Sequence, residues 1–423
     1  MVLNNERINI DKGINLNIIK TDKFKSNLIS VYLIRPLVRE EATKNALLPS
    51  VLRRGTKEYT NSLEIERKLE NMYGSNLGVG ISKKGERHIL RFSIEGPKRN
   101  YVKDEKQNVE LIKMIRSIIY QPYLEEEAFS ESYLKQEKEN LKRKIEGRIN
   151  DKRNYAIERC IEEMCKNEKF SIYELGYVED LESIDNVNLY KHYLEVLETS
   201  EIEIFAVGEF EENEIQLLKD YNKTKRTNIL EIPREKITNF NQTKNMVFED
   251  MDISQGKLVL GYRASIPYEH ELYNGLLLAS GILGGSPNSK LFINVREKES
   301  LAYYIGSQIY KFKSLMIVDA GIDFKTFEKT IEIVRANLDE MKEGMFTEED
   351  IDISKKAISS SIKSIVDSNF LISEFFLSQN LTNDYKGLEE TIKEIDNTPK
   401  NQIVKAANKI NIDTIYFLRN KNQ

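Results

Sequence analysis

The segment GKLVLGYRASIPYEHELYNGLLLASGILGGSPNSKLFINVREKESLAYYIGSQIY, residues 256–310, reads as strand, helix, glycine-rich turn, helix and strand. GKLVLGYRA (256–264) is a short apolar run of strand length, and LYNGLLLASGIL has the closer apolar spacing of a helix. Gly284 breaks that helix. Ser286 offers a capping oxygen and Pro287 suits a first helical position, so the second helix is predicted to begin there, with Leu291, Phe292 and Val295 as its buried stripe. LAYYIGSQIY then alternates as a strand does.

The same order occurs once before. LISVYLIR (28–35) precedes the helical NALLPSVL, then Gly55, the helix SLEIERKLENMY and the alternating LGVGIS. The offset between the copies is about 228–230 residues, which marks an internal duplication. Each block is followed by a further strand, RHILRFSIEG or SLMIVDAGID, then by long helices rich in Lys and Glu. Each half closes on a returning strand, EIEIFAVGEF (201–210) or TIYFLRN (414–420). Early strands, late helices and a returning strand predict an α+β fold. It consists of two homologous sandwich halves, each a largely antiparallel sheet covered by helices on one face. The expected divisions are an N-terminal domain over 1–222, a polar linker over 223–250 containing Pro233, and a C-terminal domain over 251–423.

The chain has 423 residues, enough for two cores. Its 63 basic and 68 acidic side chains leave a net charge of -5, which gives no reason to expect nucleic acid. No apolar run has signal-peptide or membrane-spanning length, so a cytoplasmic location without a membrane partner is expected. Cys160 and Cys165 fall five apart on one helix with no histidine nearby, and read as packed thiols.

Arg296 and Tyr303 are the chemically suggestive pair in the opening segment. Arg brings a rigid fork of donors and Tyr a hydroxyl, a combination suited to a carbonyl or a developing oxyanion. The alternative is an arginine paired with a neighbouring glutamate beside a half-buried strand tyrosine. The string GGSPNSKLFINVREKESLAY resembles the C-terminal half of the pitrilysin and insulinase family of metallopeptidases. There a glycine-rich turn, a helical Arg and a strand Tyr grip substrate near the scissile bond. The resemblance implies substrate-binding roles for Arg296 and Tyr303, and two similar halves.

It also implies an inverted zinc motif H-x-x-E-H in the N-terminal half, two ligands and a general base on one helix face. Arg53-Arg54-Gly55-Thr56-Lys57 resembles the segment after that motif, which aligns Ala46-Leu47-Leu48-Pro49-Ser50 with its five positions. Ala46, Pro49 and Ser50 stand where the two histidines and the glutamate belong, and Pro49 is expected to strain the turn before it. The three histidines, His88, His192 and His270, lie far apart in sequence and read as packed or surface residues. Glu137, in QEKENLKRKIEG, resembles the family's third ligand but is expected to be a solvated partner of nearby lysines. The basic character of that helix over 135–153 could favour acidic peptides.

The pattern therefore resembles the zinc-less member of a paired bacterial peptidase: no metal and no catalytic residue on this chain, zinc on a homologous partner subunit, and peptide as substrate. Two other readings stay open, a catalytically dead scaffold or peptide-binding protein of the same fold, and a self-sufficient hydrolase using Glu137 and one histidine.

Overall fold

The computed structural model describes residues 3–220, 226–238 and 245–421. Two compact units emerge, and neither is a contiguous half. Unit 1 comprises 1–146, 172–233 and 365–387; unit 2 comprises 147–171, 234–364 and 388–423.

Unit 1 is built on six strands: β1 (Glu6–Asp11), β2 (Ile14–Lys20), β3 (Ser26–Pro36), β4 (Asn76–Lys84), β5 (Arg87–Pro97) and β6 (Glu201–Gly208). Their order across the sheet is β1-β2-β6-β3-β5-β4. Unit 2 has five: β7 (Asn245–Met251), β8 (Gly256–Arg263), β9 (Ala302–Tyr310), β10 (Leu315–Ile322) and β11 (Asn411–Asn420), in the order β9-β10-β8-β11-β7. In both sheets the returning strand, β6 or β11, inserts beside the first hairpin strand and pairs in parallel with one neighbour, β2 or β7. Every other pairing is antiparallel. The duplication thus extends to topology, with β4 and β9 as equivalent edge strands.

The stretch read as a linker differs from expectation. Its last residues form β7, whose NMVFEDM turns Met246 and Phe248 outward and Val247 and Glu249 inward, a period-two pattern obscured by its polar composition. Residues 223–225 and 239–244 of that stretch lie outside the described residues. Arg226 pins the chain to unit 1, its guanidinium donating to the carbonyls of Lys12, Leu197 and Ser200.

One face of the first sheet carries α1 (Arg39–Leu52), α2 (Ser62–Asn71), α3 (Gln107–Tyr120), α4 (Glu131–Gly147) and α6 (Asn186–Thr199). Their apolar stripes meet Leu16, Val31, Leu33 and Phe92 of the sheet in one core. One face of the second sheet carries α7 (Tyr273–Gly284), α8 (Phe327–Lys342), α9 (Glu348–Ser364) and α11 (Lys400–Ala407) around Leu260, Val318 and Phe417.

The other faces are covered by exchange. Helix α5 (Lys152–Met164), from the N-terminal half of the chain, belongs to unit 2; α10 (Asn369–Thr382), from the C-terminal half, belongs to unit 1. Each begins on a side-chain cap: Asp151 accepts from the Asn154 amide, and Ser368 from that of Leu371. Ala156, Cys160, Ile161 and Met164 of α5 pack on Val259, Ile317, Tyr416 and Leu418, residues that alternate with the core-facing set along their strands. Cys165 lies just past the helix end; both thiols are buried and free. Burial pushes the Cys165 thiol up to about 12, so it is inert near neutral pH.

Helix α10 sits on a different kind of surface. The Glu203 carboxylate, in the middle of β6 and fully buried, accepts from Asn15 at 2.9 Å, Asn17 at 2.6 Å and Asn380 of α10 at 2.9 Å, and pairs with Arg7. Tyr32 Oη shares a hydrogen with Ser373 Oγ at 2.9 Å. Lys84 pairs with Glu374 at 2.9 Å, and the Arg91 guanidinium lies 4.6 Å from the Phe370 ring centroid.

Candidate functional site

Helix α1 carries the five positions aligned with the zinc motif. It runs through Pro49 and ends at Leu52, with the Pro49 carbonyl still accepting from Arg53 N–H at 3.2 Å. Ala46 and Pro49 are buried and Ser50 half-buried. Together with β4 and α4 they line a cavity of about 210 Å³ that also touches Leu47, Val79, Ile81, Leu141 and Leu175. None of the three motif side chains is a competent zinc donor set: a methyl group, a pyrrolidine ring and one hydroxyl face the space.

Glu137 lines the same cavity, but it is not the solvated partner of lysines expected from the sequence. It is 7% exposed and pairs with the guanidinium of Arg54, which arrives from just beyond the end of α1; Asn140 Nδ2 donates to the same oxygen at 3.2 Å. A charge that the sequence places 83 residues away along the chain thus neutralises it. Zinc does not fit this arrangement, because the one carboxylate is taken by a cation and no imidazole accompanies it. Among the described residues no group of three or more His, Cys, Asp or Glu could hold a metal ion.

The histidines do come together, in a way sequence distance concealed. Asn45, on the α1 face beside Ala46, bridges two of them: its Nδ2 lies 3.2 Å from His88 Nδ1, and its Oδ1 lies 2.8 Å from His192 Nε2. His88 Nε2 is 2.9 Å from the Glu174 carbonyl. One consistent proton assignment satisfies all three contacts, with both rings neutral and carrying hydrogen on Nε2. Burial pushes His88 and His192 each down to about 4, and the neighbouring Arg35 opposes a charge on either. Arg35 is itself fully buried and grips Glu41 through two bonds of 2.9 and 3.0 Å. Burial tends to raise the Glu41 carboxyl, and Arg35 more than reverses that, holding it below the usual range. These are packed, hydrogen-bonded histidines rather than ligands. His270 lies at the surface of unit 2, its Nδ1 accepting from the Leu272 amide at 3.0 Å.

The corner with Arg296 and Tyr303 is built otherwise. The second helix of the opening segment does not begin at Ser286. Residues 286–289 form a turn, in which Ser286 Oγ accepts from Asn288 N–H at 3.3 Å and the Ser286 carbonyl from Ser289 N–H at 3.0 Å. That local bonding competes with a cap and delays the helix to Lys290. From Phe292 to Lys298 it is a π-helix, a widened turn that often marks functional positions. Leu291 and Val295 are buried as expected, whereas Phe292 is half-buried, with the Arg296 guanidinium 4.6 Å from its ring centroid.

Ser300 turns the chain with φ +52°, and Leu301 N–H donates to the Val295 carbonyl at 2.9 Å. That bond ties the residue just before Arg296 to the start of β9. The register of β9 against β10 shifts between Ala302 and Tyr304, so Tyr303 occupies a bulge at the beginning of an edge strand. Bulges re-aim side chains. Tyr303 is 69% exposed and makes no hydrogen bond among the described residues. Arg296 is also exposed, its nearest carboxylate being that of Glu297 at 3.7 Å.

Comparison with known proteins agrees with this architecture. A family model described as the peptidase M16 inactive domain matches residues 183–358. The probable inactive metalloprotease YmfF of Bacillus subtilis is 36% identical over 409 residues, covering 96% of each chain. The chain belongs to the M16 peptidase family. A shorter match, 26% identical over 148 residues and 34% of this chain, is to the uncharacterized zinc protease YmxG of the same organism. Among solved structures, a conserved protein from Enterococcus faecalis superposes with a TM-score of 0.92 at 28% identity, over 99% of both chains. A peptidase M16 inactive domain from Pseudomonas fluorescens reaches 0.80 at 14% identity, also over 99% of both, and shares the fold.

Proposed function

We propose that the chain is the non-catalytic, substrate-binding subunit of a heterodimeric zinc metallopeptidase acting on peptides, and that Arg296 and Tyr303 serve a substrate held at the zinc of a homologous partner. The observation that carries this reading is the contrast within one M16 chain: the motif positions Ala46, Pro49 and Ser50 of α1 offer neither imidazole nor carboxylate, while a tethered, bulged corner holds Arg296 and Tyr303 out to solvent. A guanidinium fork and a phenol, both exposed, are donors suited to a peptide carbonyl whose oxygen gains charge. Bacillus subtilis holds both a relative described as inactive and one described as a zinc protease, which is the combination the reading requires. No helix among the described residues is long and apolar enough to cross a membrane, and a cytoplasmic setting belongs to the same reading.

The test is reconstitution. The purified chain alone is expected to hydrolyse no peptide; mixed with a zinc-bearing homologue of similar length it should raise that protein's peptidase rate. Arg296→Ala or Tyr303→Phe should then lower kcat/KM by about tenfold or more, the loss of one donor to a developing oxyanion. Hydrolysis by the isolated chain overturns the proposal. Full activity in both variants would leave the chain a scaffold.

A further inference from the structure

We propose that the space where the metal centre has been erased binds the C-terminal residue of a peptide, with its free carboxylate on Lys144 and Arg53 and its apolar side chain in the cavity beneath. The proposal rests on the reading of the chain as a peptide-binding protein and places a second contact in unit 1.

The site has an inner and an outer part. The inner cavity, about 210 Å³, is smaller than a drug-sized pocket and suits a single side chain. Leu47, Val79, Ile81, Leu141 and Leu175 bring apolar side chains to its walls, beside the polar groups of Ser50, Glu137 and Lys144. The outer part, about 540 Å³, shares Ser50, Val79, Glu137 and Lys144 with the inner one and adds Arg53, Arg54, Ser62 and Asn140. Glu137, Leu141 and Lys144 fall at spacings of four and three along α4, so all three lie on the face turned to this space.

The charges are unbalanced. Glu137 is the only carboxylate lining either part, and Arg54 and Asn140 already occupy it. Arg53 shares Glu66 at 2.8 Å, with both side chains substantially exposed, so that pair exchanges readily with water or a competing anion. Lys144 forms no ion pair or hydrogen bond among the described residues. A surplus of positive charge at the mouth of this chamber attracts an anion, and the side chains of Leu47, Val79, Ile81, Leu141 and Leu175 give an apolar group on that anion a surface to meet.

The geometry of the ligand follows. In a C-terminal residue the carboxylate and the apolar side chain leave the same α-carbon, so one can meet the ammonium while the other fills the chamber. An aspartate or glutamate side chain ends at its carboxylate and leaves the chamber empty. The residues at the motif positions serve both halves of the site: Ala46 and Pro49 bring apolar groups to the space, and with Pro49 where the motif's glutamate would stand, the cations at the rim face no lining carboxylate beyond Glu137.

The experiment is fluorescence anisotropy on the full-length purified chain, with N-terminally labelled peptides of one sequence ending in Leu. They are compared as free acid, as amide, as an amide with an internal Glu, and as a free acid ending in Gly. The free acid ending in Leu should bind about tenfold more tightly than its amide, and the Gly terminus should lose most of that gain. Lys144→Ala, at an exposed position that does not endanger folding, should bring acid and amide close together, and adding Arg53→Ala should complete the loss. Arg296→Ala should leave the preference for the acid intact.

Equal binding of acid and amide overturns the proposal, as does equal binding of the internal-Glu amide, an acid preference that survives both substitutions, or no binding of any peptide. Reconstituted hydrolysis judges Arg296 and Tyr303 separately, so the two proposals can fail independently.

Discussion

The second faces of the two sheets solve one problem in opposite ways. In unit 2 the borrowed helix α5 lies on an apolar patch around Val259, Ile317 and Leu418. In unit 1 the borrowed helix α10 meets a buried carboxylate, Glu203, through Asn380. An apolar seat depends on shape and area and tolerates small adjustments. A polar seat demands that each donor find its acceptor, so it fixes register and is costly when one member is removed. The same division recurs at the functional corners: unit 1 has turned its polar remnants inward, Glu137 onto Arg54, whereas unit 2 leaves Arg296 and Tyr303 in solvent.

The strongest way to break the comparison is to empty both seats. Glu203→Ala strands Asn17 and Asn380 in the interior and should cost about 3–5 kcal/mol, while Ile161→Ala in the apolar seat should cost about 2–4 kcal/mol through its cavity. Urea denaturation followed by hydrogen exchange locates each loss; equal local effects in both units would dissolve the distinction.

Acid should separate the units next. His88 and His192 are buried in unit 1 with pKa values near 4, against about 6.5 in an unfolded chain, so below pH 6.5 the unfolded state takes up protons that the folded state refuses. Stability is lost as pH falls from about 6.5 to 4, by a few kcal/mol for the pair. Segment-resolved hydrogen exchange should show unit 1 opening first. Uniform protection in both units down to pH 4 would count against it.

The smallest effects concern the corners. Arg54→Ala leaves Glu137 without its cation and should destabilise by about 2 kcal/mol. Arg296→Ala removes only an exposed side chain beside the Phe292 ring and the exposed Glu297 carboxylate, and its melting temperature should correspond to a change within about 0.5 kcal/mol. A large stability loss from Arg296→Ala would make that residue structural.

The sequence carried the repeated strand order, the returning strands and the erased motif, because each is written in local apolar periodicity or in residue chemistry at fixed spacing. The exchange of α5 and α10 was hidden. KRNYAIERCIEEM shows that one face is buried but not which sheet buries it. The strand Asn245–Met251 was hidden by its polar composition, and the bridge through Asn45 joins residues 43 and 147 positions away, beyond any local pattern. At the site, Arg296 and Tyr303 could be singled out, whereas the bulge beneath Tyr303 and the π-turn beneath Arg296 depend on hydrogen bonds with neighbouring elements. Arg54 shows in the sequence only as part of the segment after the motif positions, although an arginine just past the end of a helix that lacks its metal ligands is itself a signal of replacement charge.

The reciprocal exchange sets an order on biosynthesis. As the chain leaves the ribosome, the first sheet can assemble once β6 has emerged, yet Glu203 and Tyr32 stay uncovered until residues 369–382 are made. Helix α5, already synthesised, must likewise wait for strands that do not yet exist. For some 160 residues of translation the nascent protein holds an unsealed polar surface and an unseated apolar helix, a window in which a chaperone, or a second chain at the same stage, finds its best purchase.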